Sequence, residues 1–104
     1  MMIENMQIVN HVREDGIRVL AAFNVEGWGG RPCQLVADNS NRELFALGMY
    51  KARGGPRWTR MSRSVTDAAA ASYDSAMSAI FGKGWRDIQD GTTRVMEWVI
   101  TRAA

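Results

Sequence analysis

Every second residue between positions 17 and 25 is apolar, and these residues are Ile17, Val19, Ala21, Phe23 and Val25. A period of two with β-branched side chains predicts a strand with one buried face. Asp15-Gly16 comes directly before this stretch, and Asp-Gly is a strong hairpin-turn sequence. We therefore predict a β-hairpin whose first strand carries Met6, Ile8 and Val12. A helix over the same residues, stopped by Gly16, is the alternative, because Ile3, Met6, Val9 and Val12 also recur at helical spacing.

Two more strands are predicted over residues 32–37 and 43–51, separated by the turn-forming sequence Asp-Asn-Ser-Asn. The stretch 43–51 is apolar on both faces, which favours a central position in a sheet. Gly48 within it indicates a bulge or a close approach of another chain segment. A last strand, rich in β-branched residues, is predicted over 92–101.

A helix is predicted from about Val65 to Phe81, because the apolar residues recur at intervals of three and four. Ser64 and Asp67 have the spacing of a capping box at its start, and Gly82 supplies its end. The apolar stripe consists of Val65, Ala69, Tyr73, Ala76, Met77 and Ile80.

These elements predict one α+β domain over residues 1–104, an antiparallel sheet of about four to six strands with one long helix packed on one face. The outline is shared by many small domains, so it implies no function by itself.

Charge is distributed unevenly along this chain. Residues 44–66 contain five basic side chains and no acidic one, whereas the rest of the chain has eight basic and eleven acidic residues. A segment of net charge +5 therefore belongs to a body of net charge −3, although the whole chain carries only +2. A local positive segment that includes aromatic residues is typical of a surface for an anionic partner such as nucleic acid.

The candidate binding residues lie in this basic segment (residues 50–63) and in one glycine-rich loop. Arginine suits phosphate because its planar fork donates two parallel hydrogen bonds, and aromatic rings stack on bases. Arg57, Arg60 and Arg63 are spaced by three, so a helical or 3₁₀ turn would point them the same way, whereas a strand would not. The full set is Tyr50, Lys51, Arg53, Arg57, Trp58, Arg60, Arg63 and, in the loop, Trp28.

Two functions fit these residues. The first is a small non-enzymatic protein that binds nucleic acid through the basic segment. The second is a protein-interaction module, such as a small inhibitor or regulator, that binds an acidic surface of a larger protein. A solvated loop whose arginine stems cover apolar neighbours, with Trp58 in the core, is the ordinary structural explanation. Trp28 is either a lid over the sheet or a contact residue for a partner.

No residue set predicts catalysis or a cofactor. His11 and Cys33 are the only histidine and the only cysteine, so zinc would lack its usual ligands, and Cys33 is expected to be buried and inert. No stretch has the roughly 18 apolar residues of a membrane span, and no secretory signal is visible, so we expect a cytoplasmic protein.

Large apolar side chains are abundant for a domain of this size, with four Trp, three Phe and seven Met. One helix covers only one face of a sheet, so the other face is expected to present Phe45 or Trp98 to water. The sequence therefore predicts a homodimer, or a partner bound through a sheet edge or an apolar face.

Overall fold

A computed structural model describes residues 2–38, 40–41, 43–82 and 85. Five strands and one helix are found there, and the predicted strand over 92–101, with Trp98, lies outside the described residues. The elements are β1 (Ile3–Val12), β2 (Arg18–Val25), β3 (Cys33–Asp38), β4 (Glu43–Ala52), β5 (Gly55–Arg60) and α1 (Arg63–Phe81). The predicted α+β class, an antiparallel sheet with one long helix on it, is confirmed.

The strands form a five-stranded antiparallel sheet in the order β1-β2-β3-β4-β5. The predicted hairpin is confirmed, and the helical alternative for the first segment is wrong. In its turn, the amide of Ile17 donates to Oδ1 of Asp15 at 3.1 Å, and Gly16 adopts a φ of 84°. Asp-Gly therefore fixes the turn as its chemistry predicts.

The edge strand β1 is irregular. Its pairing with β2 shifts register twice, between Glu4 and Gln7 and between Ile8 and His11. Asn5 and Asn10 have φ values of 55° and 51°, in the left-handed region that asparagine tolerates better than most residues. Each register shift therefore contains one of these asparagines.

The helix packs on one face of the sheet. The core on that face includes Leu20, Phe23, Leu35 and Tyr73, and the helix contributes the buried residues Val65, Thr66, Ala69, Ala70, Tyr73 and Met77. Ile80, expected in the apolar stripe, is exposed. The buried hydroxyl of Thr66 accepts a hydrogen bond from the amide of Ala46 in β4 at 3.0 Å, so a side chain of the helix is bonded directly to the sheet.

The helix begins earlier than predicted. Ser62, with an extended backbone, is the N-cap, and its hydroxyl accepts from the amide of Val65 at 3.4 Å. The predicted capping box is wrong, because Ser64 lies inside the helix and Asp67 pairs with Arg63 at 3.8 Å. The predicted end is confirmed: Gly82 is the C-cap, and its amide donates to the carbonyl of Ser78.

The centre of the basic segment is a strand, not a loop or a helical turn. Residues 55–60 form β5, which pairs with β4 from Leu47↔Arg60 to Ala52↔Gly55. Side chains alternate between the two faces of a strand, so Arg57 and Arg60 lie on opposite faces, and Arg63 belongs to the helix. Of the two alternatives for these three arginines, the strand therefore applies, and they do not point the same way.

Candidate nucleic-acid interface

Trp28 is held by a loop of three glycines that all have positive φ, namely Gly27, Gly29 and Gly30. The amide of Trp28 donates to the carbonyl of Val25 at 3.1 Å, and its own carbonyl accepts from Arg31 at 3.4 Å. These two turns fold the indole back, so that it is half-buried and packs against the core. Trp28 is thus fixed by the loop, and its remaining exposed part faces a depression at the end of the sheet.

Tyr50 near the end of β4 meets Trp28, although 21 residues separate the two in the chain (28 to 50). Their ring centroids are 5.9 Å apart at an interplanar angle of 69°, an edge-to-face contact. The guanidinium of Arg31 lies 5.5 Å from the centroid of the Tyr50 ring, within cation–π distance. Arg57 stands directly opposite Tyr50 on β5. The Tyr50 ring therefore contacts one aromatic ring and one guanidinium, and a second arginine lies opposite it on β5.

The backbone of Arg31 is braced from two sides. Its carbonyl accepts from the side-chain amide of Asn24 at 3.0 Å and from the thiol of Cys33 at 3.5 Å. These two hydrogen bonds fix the backbone of Arg31, so its side chain extends from a fixed position at the rim of the depression.

These residues line an open depression of about 780 Å³ at the end of the sheet, which we call the aromatic cleft. It lies between the β2–β3 loop and the β4–β5 hairpin, and it is lined by Gly27, Trp28, Gly29, Arg31, Pro32, Met49, Tyr50, Lys51 and Pro56. Two aromatic side chains and two cations thus converge on one space, as a ligand with planar rings and negative charge requires.

Two of the five predicted cations have acidic partners. Arg60 pairs with Glu43 and lies 4.0 Å from the centroid of the Phe45 ring, and Arg63 pairs with Asp67. Glu43 and Asp67 are the acids that immediately flank the acid-free stretch 44–66. When these two acids are counted with the five cations, the local net charge falls from +5 to +3. The charge of residues 44–66 alone therefore overstates how positive this surface is.

The other three cations, Lys51, Arg53 and Arg57, form no ion pair within the described part of the chain. All three are exposed and lie at the β4–β5 hairpin, beside the aromatic cleft. The same holds for Arg31, whose guanidinium contacts only the Tyr50 ring among these interactions. Of these four cations without acidic partners in the described ranges, Arg31 and Lys51 line the cleft, and Arg53 and Arg57 lie at the adjoining hairpin.

Trp58 is separate from this cleft. It lies in β5 opposite Met49, on the face of the sheet away from the helix, and 39% of its surface is exposed. The explanation that places Trp58 in the core is therefore wrong. Phe45, expected to face water, is half-buried beneath the Arg60 guanidinium.

The described residues give little support to other chemistry. Cys33 is buried, as expected, and burial raises the pKa of its thiol, so the nucleophilic thiolate is disfavoured. No group of three or more His, Cys, Asp or Glu side chains in the ranges described is placed to hold a metal ion. Nor does the described helix have the length and apolar character required to cross a bilayer.

Arg31 is the functional candidate that the sequence analysis missed. It lies outside the acid-free stretch, and only its position three residues after Trp28 linked it to a candidate residue. Of the predicted site residues, the structure brings Trp28, Tyr50 and Lys51 together in the cleft. Arg53 and Arg57 lie at the adjoining β4–β5 hairpin, and Trp58, Arg60 and Arg63 lie elsewhere. Comparison with known proteins found no matching family model, no matching curated protein and no matching solved structure.

Proposed function

We propose that this chain is a non-enzymatic binding protein that engages single-stranded nucleic acid through the aromatic cleft and the adjoining basic segment. The observation that carries the proposal is that Arg31 and Lys51 line one cleft with the adjacent rings of Trp28 and Tyr50, with Arg53 and Arg57 on the adjoining hairpin. None of these four cations has an acidic partner among the described residues.

The rings favour a single strand over a duplex. Bases of a single strand are free to stack on aromatic side chains, and each such contact contributes about 1–3 kcal/mol. Bases within a duplex are already stacked on each other. The cleft is open to solvent and is walled by Trp28 and Tyr50, so an unpaired base can reach an aromatic surface there.

The cations supply the phosphate contacts. Arg31 contacts the Tyr50 ring, Arg57 lies opposite Tyr50 on the neighbouring strand, and Lys51 lines the cleft. Arginine binds phosphate through its fork, whereas lysine acts as a point charge. A backbone passing the ring would therefore meet a positive group on either side of the stacked base.

A salt titration tests the proposal. The probe is a fluorescent single-stranded oligonucleotide of about twelve nucleotides, a length within known site sizes, as DNA and as RNA. If about four phosphates are neutralised, anisotropy will show an affinity that falls roughly fifty-fold between about 50 and 200 mM salt. Absence of binding at the lower salt concentration would exclude this function.

A matched pair of arginine variants shows whether the contacts are local. Arg57→Ala removes a cation without an acidic partner beside Tyr50, whereas Arg63→Ala removes one already paired with Asp67 on the helix. Arg57→Ala is expected to weaken binding and to reduce the salt slope by roughly 0.7, one phosphate contact. Arg63→Ala is expected to change neither quantity appreciably. Equal losses in both variants would indicate a general charge effect and no defined site.

An acidic protein partner is separated from nucleic acid by competition. Polyglutamate carries regular negative charge but no bases, so it can satisfy the cations and leave the rings without a stacking partner. We expect it to displace the oligonucleotide only at a large excess of charge. Equal potency per negative charge would favour the protein-interaction function instead.

A further inference from the structure

A second depression lies on the face of the sheet away from the helix, and we call it the amide groove. It has a volume of about 340 Å³ and runs across β1, β2 and β3 to β5. Its lining includes four side-chain amides and one indole, those of Asn5, Gln7, Asn24, Gln34 and Trp58. Neither function suggested by the sequence uses these amides.

The indole of Trp58 forms one side of the amide groove. Trp58 lies on β5, whereas Gln34 lies on β3, and β4 separates these two strands. Because both side chains line one groove, the indole must extend across β4. It remains 39% exposed, so a planar ligand in the groove has an aromatic surface to contact.

Two of the four amides are fixed and two are free. The side-chain amide of Asn5 donates to Oδ1 of Asn24 at 3.1 Å, and Asn24 in turn donates to the carbonyl of Arg31 at 3.0 Å. The side chains of Gln7 and Gln34 make no hydrogen bond within the described residues. Their donors and acceptors are therefore available to a ligand.

The amide groove is continuous with the aromatic cleft. Pro32 lines both depressions. Lys51 lines the cleft, and its position two residues after Met49, the partner of Trp58, places it on the same face as that indole. Pro32, which lines both depressions, and Lys51 therefore lie between the Trp28–Tyr50 rings and Trp58.

We infer that the amide groove binds one base of the same single strand whose neighbouring nucleotide occupies the aromatic cleft, and that Gln7 and Gln34 make the protein selective among bases. This inference rests on the proposed function. Trp58 stacks on the base, Lys51 neutralises the phosphate between the two positions, and the free amides bond the edge of the base. Glutamine and asparagine offer a donor and an acceptor side by side, which matches the polar edges of unpaired bases.

The chemistry of the groove favours a base over an apolar partner. A protein segment buried for its apolar surface would leave the amides of Gln7 and Gln34 without partners, and an unsatisfied amide opposes binding because it loses its hydrogen bonds to water. A base has polar edges for the amides and two apolar faces for the indole. The nearby Lys51 also matches the charge of the attached phosphate.

Three variants test this inference against the same labelled oligonucleotides, supplied as homopolymers of each base in DNA and in RNA. Trp58→Ala removes the stacking surface, and Trp58→Phe restores part of it. Gln34→Met keeps the length of the side chain and removes the amide donor and acceptor that would bond a base. Val12→Ala is the control, since Val12 is an exposed apolar residue at the end of β1, outside both depressions. Circular dichroism verifies that each variant is folded.

Trp58→Ala is expected to weaken binding roughly ten-fold or more with an unchanged salt slope. Trp58→Phe is expected to weaken binding less, and Val12→Ala is expected to leave the affinity unchanged. Gln34→Met is expected to change the ratio of affinities among the homopolymers several-fold. If the wild-type protein binds oligonucleotides while folded Trp58→Ala and Gln34→Met retain its affinities and base preference, the amide groove is not a base site, although the proposed function stands. If the wild-type protein binds no oligonucleotide, the proposed function fails and this inference fails with it.

Discussion

At the scale of single residues, Cys33 is held as a neutral thiol. Its Sγ lies 3.5 Å from the carbonyl oxygen of Arg31, and only 1% of the residue is exposed. A disulfide reagent attacked by thiolate is therefore expected to label the native protein far more slowly than the urea-unfolded protein. Rapid labelling of the native protein at neutral pH would show that this site opens readily.

The raised pKa of Cys33 also predicts a dependence of stability on pH. An unfolded thiol ionises near pH 8.5, before the buried thiol does, so this contribution to stability is complete below that pH and is lost as the pH rises through the native pKa. The urea midpoint is expected to fall more between about pH 8 and 10 for the wild-type protein than for Cys33→Ala. Parallel pH profiles would contradict the prediction.

Gly48 has no side chain, and this leaves room for the side chains of Met61 and Tyr50. A Cβ at this position would lie 3.0 Å from Sδ of Met61 and 3.2 Å from the ring of Tyr50. Gly48→Val is therefore expected to destabilise the protein by about 1–3 kcal/mol and to move the Tyr50 ring. Urea unfolding measures the first effect. The same change should cost less in a Met61→Ala background, because the shortened side chain leaves room.

At the scale of elements, the start of the helix gives a direct comparison between two serines. Ser62→Ala removes the oxygen that accepts from Val65 and is expected to cost about 1 kcal/mol. Ser64→Ala changes an exposed position inside the helix, where alanine has the higher helix propensity. Urea midpoints should therefore fall for Ser62→Ala alone. A larger loss at Ser64 would restore the capping box that the sequence suggested.

The strands β1 to β4 could be predicted because their evidence is local, whereas β5 was not predicted. Alternation over residues 17–25 and the Asp15-Gly16 turn determine the β1–β2 hairpin within one stretch of chain. The start of the helix could not be predicted in this way, since Ser62 and Ser64 are both good N-caps by residue type. Ser62 takes the role because β5 ends at Arg60 and the extended backbone continues to that serine.

The candidate site was only partly predictable because it depends on pairing between strands. Spacing by three left open whether Arg57 and Arg60 share a face, because the answer depends on the secondary structure, and strand alternation puts them on opposite faces. The acid-free stretch 44–66 also excluded Glu43 and Asp67, whose side chains neutralise two of the arginines. The meeting of Trp28 with Tyr50 requires β3 and β4 to pair, and no local pattern contains that information.

At the scale of the whole molecule, the excess of large apolar residues still predicts a homodimer. Ile80 and Phe81, at the end of the helix, are 63% and 62% exposed. Burying them against a second copy would remove a patch that soluble monomers usually avoid. Light scattering with in-line chromatography at high micromolar concentration is expected to give about twice the chain mass of 11.6 kDa. A Phe81→Ser variant should lower that mass, and a wild-type mass equal to that of one chain would exclude a stable dimer.

The irregular edge strand β1 affects how readily the protein aggregates at high concentration. A straight edge presents an uninterrupted row of amides and carbonyls that another chain can copy, which is how fibrils and runaway aggregates grow. The two register shifts at Asn5 and Asn10 interrupt that row on one edge, and Pro56 lacks an amide hydrogen on the other. Both edges of the described five-stranded sheet are therefore poor templates for another strand. An exposed sheet face can then remain open to solvent without edge-to-edge aggregation.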